Sequence, residues 1–451
     1  MKFDIAGLKV DSVTKQELLA VLLSRITANQ KTWITTVYSE FLHSALREPK
    51  VMKMLNQADI AVADGIGILW AQKFLSQAYI SKNFWLKIIE SYFQAAHTLL
   101  SIPFRRRWGG GELFKETIPG SELIWDIAKL AAENNLSLYL LGGFGDTAKL
   151  VSEKLKVKSE NLKIAGWSSK NPNNESAIDD INKTQPDILL VAYGPIKQEQ
   201  WILENRNKLP SVKLFMGVGG TFDYIAGKRL SPPRWIRKGG LEWLWRLFTQ
   251  PHRLRRIWNA TLGLINLAIL FKIYAQMPLR RNALSVILNS KNEVLICRRN
   301  PKPQPYDAIG ENKNKFANYW QLPQGGLHRQ ESPVEGAKRE AEEETGLNNL
   351  KLLRVSQATH SYTFPLTWIR VFNKNFRTRG QIQNIVFFKY SGEPDKVKVD
   401  NHEFIDFKWE LRENLTRAIH SERNNLTEIV LEDLKEIQQK GIIDIDKTEQ
   451  N

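Results

Sequence analysis

The chain has 451 residues, 42% of them hydrophobic and 25% charged, with a formal net charge of +16. That length exceeds what one ordinary hydrophobic core serves, so two or three domains of folded, soluble character are expected. The positive excess points to an anionic partner such as a nucleotide, a nucleic acid or an acidic lipid. A single cysteine, Cys297, excludes an internal disulfide framework and fits a reducing cytoplasm. The opening stretch MKFDIAGLKVDSVTK has no apolar run of the kind a secretory signal carries.

Strand-like runs alternate with helical patterns from residue 30 to 220. WITTV (33–37), IAVAD (60–64), LSLYLLGG (136–143), DILLVAYG (187–194) and VKLFMGVGG (212–220) are short and rich in β-branched residues and leucine. Each precedes a helix-like segment such as KQEQWILENRNKL (197–209), which argues for a largely parallel sheet covered on both faces. LLGGFGDT (140–147) and GVGGTFD (217–223) are glycine turns leading from strand to helix. Backbone N–H groups at Gly142, Gly143, Gly219 and Gly220 are therefore candidates to approach a diphosphate. Asp64 ends a buried strand, where α/β enzymes place their chemistry.

Between these runs, FWLKIIESYFQAAHTLLSIPFRRRWGGG (84–111) carries apolar residues at Phe84, Ile88, Tyr92, Ala95 and Leu99, a helical stripe followed by Arg105-Arg106-Arg107. A packed helix pair explains it by default; a membrane-surface element is the alternative. From Pro233 to Arg281 there are ten Lys/Arg against one acidic residue, Glu242, interleaved with Trp235, Trp243, Trp245, Phe248, Trp258, Phe271 and Tyr274. The apolar stretch from Trp258 to Tyr274 is interrupted by Asn259, Thr261, Asn266 and Lys272 and falls short of the roughly 20 residues a spanning helix needs. Past it, NALSVILNSKNEVLICRRN (282–300) reads as two strands joined by a turn, opening a second domain. The boundaries expected are 1–232, 233–277 and 278–451.

SPVEGAKREAEEETG (332–346) then poses an electrostatic question. Ser332 and Glu335 form a capping box with Pro333 at the first helical position, and Gly346 supplies the stop. Glu340, Glu343 and Glu344 fall on one face of the predicted helix over about 333–345, while Glu342 projects elsewhere. Three converging carboxylates repel unless a cation sits among them, and their hard oxygens suit Mg²⁺ or Mn²⁺. Arg339, four residues before Glu343, can orient it.

Gly325, Glu331 and the run Arg339-Glu340-Ala341-Glu342-Glu343-Glu344-Thr345-Gly346-Leu347 match the Nudix box at each defining position. The resemblance implies an α+β fold, a mixed sheet between helices. It also implies metal-dependent hydrolysis of a nucleoside diphosphate linked to a further group X. Glu340, Glu343 and Glu344 carry over as metal ligands, with Arg339, Glu343 and Glu344 as the catalytic group and Gly325 and Gly326 as the loop ahead of the helix. WQLPQGG (320–326) is similar to the WQxPQGG of RNA pyrophosphohydrolases and dinucleoside polyphosphate hydrolases. In that subgroup a glutamate like Glu403 serves as an additional ligand or base; its alternative here is a surface glutamate before a strand. Gln330, where glycine is usual, and the long 300–319 connection depart from the subgroup.

LVAYGPIKQEQWI (190–202) resembles the VGLGxPKQExW signature of the WecG/TagA/CpsF glycosyltransferases, family 26. TTVYSEFL (35–42), QADIAVADGIGILWA (57–71) and the stretch 217–256 match further family segments in the same order. The resemblance implies a Rossmann-like α/β domain with a basic-aromatic helical appendage. By it, Asp64 is the general base for a direct, inverting displacement; capping the next helix through Gly65-Ile66 is the alternative. Thr36 carries over as a catalytic-site substrate contact and Gln198 as a donor contact, while Lys197 and Glu199 match the motif and can serve to brace its turn. Arg246, Arg253 and Arg256 would close over a diphosphate.

The implied reaction moves N-acetylmannosamine or a related sugar from a UDP-sugar donor to a polyprenyl-diphosphate-linked acceptor. Its implied place is cytoplasmic, on the inner membrane surface. Tyr38 for asparagine, the inverted Pro195-Ile196 and Thr117 for arginine depart from the family pattern, and 78–114 appears as a segment outside it. Two further readings are a non-catalytic transferase-like module docking the hydrolase to membrane, and an RNA-end processor holding RNA on the basic tract.

Overall fold

The computed structural model describes residues 2–102, 114, 116–174, 176–230, 233, 236, 242–249, 254–300, 320–364, 366, 378–419 and 424–442. Arg105–Arg107 and Arg253 lie outside the described residues, as does the side chain of Arg246. The chain divides into two compact units, Met1–Gln276 and Met277–Asn451.

The first unit is built on eight strands: β1 Lys2–Ile5, β2 Leu8–Asp11, β3 Thr32–Val37, β4 Ile60–Ala63, β5 Ser137–Gly142, β6 Lys163–Ser168, β7 Ile188–Ala192 and β8 Leu214–Gly217. Their order is β1-β2-β4-β3-β8-β7-β5-β6; β1 and β2 form an antiparallel hairpin and every other pairing is parallel. The hairpin and β6 escaped the sequence reading. Both are short, and β6 (KIAGWS) lacks the apolar density of the central strands. Strands β3, β4 and β7 are buried almost throughout, as a sheet sandwiched on both faces requires. Ile34, Val62, Leu140, Leu190 and Met216 join Leu22, Ile124, Ile127 and Val151 from flanking helices in one core.

Helices α1 Lys15–Thr27, α2 Ser39–Arg47, α3 Pro49–Leu55, α4 Ile66–Ser76, α5 Phe84–Leu100, α6 Gly120–Glu133, α7 Thr147–Lys158, α8 Ser176–Thr184, α9 Lys197–Asn205 and α10 Thr221–Ala226 complete the alternation. The basic tract contributes α11 Glu242–Thr249 and α12 Leu254–Ala275. The 22-residue α12 is longer than its interrupted apolar pattern suggests, and by length and composition alone it suffices to cross a membrane. It also packs on α2, α4 and α5, burying Leu264, Leu267, Ala268, Ile269 and Ile273.

The second unit carries β9 Leu279–Leu288, β10 Val294–Arg299, β11 Trp320–Gln321, β12 Gln324–Gly326, β13 Leu350–Thr363, β14 Gly380–Tyr390 and β15 Phe404–Glu410 in one mixed sheet. Strands β9 and β14 run parallel at its centre. Alternation along β9 decides the layers: Ala283 and Ile287 face α13 Pro333–Thr345 through Ala337 and Ala341. Leu284, Val286 and Leu288 face α15 Asn424–Gln439 through Leu426, Val430 and Leu434, with α14 Leu415–Ala418 beside it. The sheet between helices is the architecture the glutamate motif implied.

Gly142 ends β5 at φ +99°, and a Cβ there would stand 2.8 Å from the Ala192 carbonyl oxygen of β7. Gly142→Ala should therefore destabilise the first unit by about 1–3 kcal/mol, read as a lowered urea midpoint with an unchanged slope.

Candidate active sites

In the first unit the parallel strands end together, and their ends carry the predicted residues. The register pairs Thr36 with Val62, Val37 with Ala63, Gly142 with Ala192 and Val191 with Gly217. Thr36, Asp64, Gly142, Gly143, Gly219 and Gly220 therefore share the carboxyl edge of the sheet. Asp64 is fixed from both sides. Its N–H donates to the Val37 carbonyl at 2.7 Å, and its Oδ2 accepts the Gly120 N–H at 3.1 Å. Gly120 opens α6, so the carboxylate lies at the positive end of that helix. It does not cap α4, whose start has no side-chain cap. Gly120 also abuts Thr36, since a Cβ there would lie 2.8 Å from the Thr36 hydroxyl. The neighbouring Ile118 N–H bonds to the Ala63 carbonyl at 2.8 Å, holding Thr117 and its flanks along the end of β4.

Gln198 sits behind this edge. Only 3% exposed, it accepts the Gly219 N–H at 2.8 Å and donates to Glu199 Oε1 at 3.2 Å. Glu199 is buried, accepts the Trp33 indole N–H at 2.9 Å, and is pushed up to about 7 by that burial. Gly217 admits both side chains, because a Cβ there would meet Gln198 at 2.4 Å and Glu199 at 2.5 Å. Two expectations change. The Gly219 N–H is spent on Gln198 and the Gly143 N–H on the Ala192 carbonyl, so neither points outward as the glycine turns alone suggested. Glu199 braces the turn as its place in the motif allowed, and the buried Gln198, expected as a donor contact, supports the turn with it.

Arg256, on α12, donates bidentately to Glu40 at 3.0 and 2.7 Å, with Tyr38 bearing on the same guanidinium. Glu40 stands in the first turn of α2, four residues after Thr36, so the basic tract reaches the carboxyl edge of the sheet here. In this state Arg256 is already committed to a carboxylate.

In the second unit the helix forms as predicted. Ser332 and Glu335 make the reciprocal capping box, Pro333 occupies the first turn, and Gly346 ends it at φ +71°. Arg339 is the hub. It donates to both oxygens of Glu331 at 2.9 and 3.1 Å, to Glu340 at 2.8 Å, to Glu343 at 3.2 Å and to the Gly326 carbonyl at 3.0 Å. That guanidinium holds Glu331 down at about 2. Glu340 lies flat on Gly325, where a Cβ would stand 1.8 Å from its carboxyl carbon. Burial pushes Glu340 up. Glu344, 4% exposed, accepts the Gln324 N–H at 3.0 Å and is pushed to about 10 by burial, then by its hydrogen bond and charge contact with Glu403. The exposed Glu403 is held by its own N–H to Asp400 at 2.9 Å.

Among the described residues no three acidic, histidine or cysteine side chains gather closely enough around one point to hold an ion. The reason is Arg339, which draws Glu340 and Glu343 toward itself. The donor set still fits a hard divalent cation: Glu344 meets Glu403 carboxyl to carboxyl, and Glu340 is desolvated beside them. A dication relieves both.

Residues 3–105 and 101–281 match the model of the Glycosyl transferase WecG/TagA/CpsF family. The chain belongs to that family. The match runs through α5, so the segment read as outside the pattern is largely within it. Residues 278–429 match the NUDIX domain, and the second unit is such a domain. Over 260 residues, 57% of this chain and 88% of the relative, the sequence is 27% identical to the N-acetylglucosaminyldiphosphoundecaprenol N-acetyl-beta-D-mannosaminyltransferase of Staphylococcus aureus (strain MRSA252). It is 26% identical to the same enzyme of strain NCTC 8325 / PS 47 over the same shares. Among solved structures, the MutT protein of Methanosarcina mazei Go1 is similar with 20% identity, 36% of this chain, 97% of that chain and a TM-score of 0.25. The C. elegans Ap4A hydrolase binary complex is similar with 18% identity, 35% and 99% coverage and a TM-score of 0.25.

The raised Glu344 sets a pH dependence. A carboxyl that binds its proton more tightly when folded contributes stability at low pH and loses it as pH climbs from the ordinary carboxylate range toward about 10. In EDTA the melting temperature of the second unit should fall between pH 5 and pH 9, as those limits bracket most of that window. Millimolar Mg²⁺ should restore it chiefly at the alkaline end, and Glu344→Gln should flatten the profile in circular-dichroism melts.

Proposed function

We propose that the chain joins two enzymes. The first unit transfers a sugar, N-acetylmannosamine or a relative, from a UDP-sugar to a polyprenyl-diphosphate-linked acceptor, a reading supported by the activity that names the S. aureus relatives. The observation that carries this reading is the cluster of Asp64, Thr36 and the Gly120 N–H at the carboxyl edge of the parallel sheet. The acceptor hydroxyl attacks the anomeric carbon as the bond to the donor diphosphate breaks, and its proton passes to Asp64. The Gly120 N–H and the positive end of α6 hold Asp64 aimed before the transfer. Thr36 positions substrate beside it. Arg256 exchanges Glu40 for the diphosphate, and Arg246 and Arg253 from the same tract join it. The unit works at the inner surface of the cell membrane, where such an acceptor resides.

The second unit hydrolyses a nucleoside diphosphate linked to X. Glu340, Glu343, Glu344 and Glu403 would hold Mg²⁺ or Mn²⁺, which when bound neutralises diphosphate charge and activates water. Arg339 holds Glu340 and Glu343 in place, Glu331 braces Arg339, and the Gln324 N–H orients Glu344. The first unit's donor is itself a nucleoside diphosphate linked to a sugar. For both reactions to run in one chain, the second site has to discriminate against it. RNA 5′ ends and dinucleoside polyphosphates are the substrates favoured by the WQLPQGG stretch.

Asp64→Asn should abolish transfer from UDP-sugar to a lipid-diphosphate acceptor while leaving hydrolysis intact. Transfer at the parental rate would exclude Asp64 as base. If the parent itself makes no transfer product, the first unit is a docking module for the hydrolase, a reading motivated by Thr117 standing where arginine is usual. Glu343→Gln and Glu344→Gln should each cut metal-dependent hydrolysis by about 100-fold or more without unfolding the unit, and full activity in EDTA would refute the metal assignment. A substrate panel of capped and triphosphorylated RNA, dinucleoside polyphosphates, UDP-sugars and oxidised dNTPs identifies X.

A further inference from the structure

Helix α5 (Phe84–Leu100) is amphipathic the wrong way round for a soluble protein. Its buried residues are Ser91, Ala95 and Thr98, two hydroxyls and a methyl. Its outward residues are Trp85, Leu86, Ile89, Tyr92, Phe93, Leu99 and Leu100, exposed by 44–76%. At about 100° per residue these seven occupy one arc of roughly 140°, a continuous apolar face with the buried row opposite. The inward polar groups are satisfied within the unit: Ser91 by the Tyr79 hydroxyl at 2.7 Å, Thr98 by Gln77 at 2.9 Å, and Glu90 by the Ile80 and Ser81 N–H groups at 2.8 and 3.2 Å. No acidic side chain stands on the outward face among the described residues.

The face continues onto the basic tract. Lys87 bonds Gln276 and Gln94 bonds Lys272, so α5 and α12 run antiparallel, and the N-terminal half of α12 extends past Leu99 and Leu100. That half exposes Leu254, Trp258 and Leu262 at four-residue spacing and carries the exposed Arg255 between them. Three further arginines, 105–107, follow α5 in sequence. Aromatic and aliphatic side chains outward, with Arg255 beside them on α12 and arginines next in sequence to α5, match the interfacial zone of an anionic bilayer.

We propose that the outward face of α5 is a lipid-docking surface, seated in the interfacial layer of an anionic phospholipid membrane. This deepens the reading of a lipid-linked acceptor and rests on it. It assigns the docking to the helix between β4 and β5, in addition to the basic tract. A face of this kind brings the carboxyl edge of the sheet to acceptors that do not leave the bilayer.

Cys297 is fully buried, so one added thiol can be labelled selectively. The full chain carrying Phe93→Cys with an environment-sensitive fluorophore should brighten and shift to the blue with phosphatidylglycerol-rich vesicles, and the same label at Lys156→Cys on α7 should not. The triple variant Trp85→Ser, Phe93→Ser, Leu100→Ser should float with these vesicles about tenfold less than the parent, having lost three large apolar side chains. Parental flotation of the variant, or a silent label at 93, overturns the proposal. So does a parent that self-associates through this face, shown by an oligomer that the triple variant dissolves without any vesicle binding. A label at 93 already shifted in a monomeric parent without vesicles overturns it too, because another segment of the chain then covers the face. Transfer to a short-chain, water-soluble lipid-diphosphate acceptor should be equal in parent and variant. Its absence from both defeats the transferase reading while leaving the vesicle result standing.

Discussion

A carboxylate withdrawn from water has to be met by a donor, a cation or a proton, and that requirement organises the catalytic region of both units. Asp64 is met by the N–H at the start of α6, Glu199 by an indole and an amide, Glu331 by a guanidinium fork, and Glu344 by the Gln324 N–H and a contact with Glu403. The partners differ in what they leave available. Glu331 is saturated, and its value lies in holding Arg339 still. Glu344 is raised by burial and by the facing Glu403, an environment that a cation would relieve. The same constraint thus separates groups that brace a site from groups poised to change state.

Much of this was legible in the sequence, and for identifiable reasons. Caps and stops are local, so SPVE and Gly346 fixed both ends of the glutamate helix within one residue. Strand ends in a parallel sheet are set by short apolar runs, so Thr36, Asp64 and the glycine turns fell on one edge. What escaped was decided by contacts across long separations. The Trp33 bond to Glu199 spans 166 residues and the Gly219 bond to Gln198 spans 21, and neither leaves a periodic trace. Hence glycine N–H groups expected to face a diphosphate are internally spent. The spacing points Arg339 toward Glu343 four residues on, whereas its bidentate grip is on Glu331 eight residues back.

Helix α5 shows a different limit. Periodicity locates a face but not what the face looks toward. The stripe through Phe84, Ile88, Tyr92, Ala95 and Leu99 straddles the boundary, since Ala95 is buried while Tyr92 and Leu99 are open to solvent. The side that packs was chosen by hydrogen bonding as much as by hydrophobicity. Lys272 of α12 is 4% exposed, bonded to the Phe74 carbonyl at 2.8 Å and to Gln94, with its ammonium over the Phe74 and Tyr79 rings. Burial pulls it down to about 8. An amine so placed needs acceptors on the helix beside it, and Gln94 supplies one. With that side of α5 given to polar partners, the large apolar residues were left the opposite side. The inverted helix is then a consequence of a buried lysine as well as of its own sequence, and its outward face is left uncovered by the core of the first unit among the described residues.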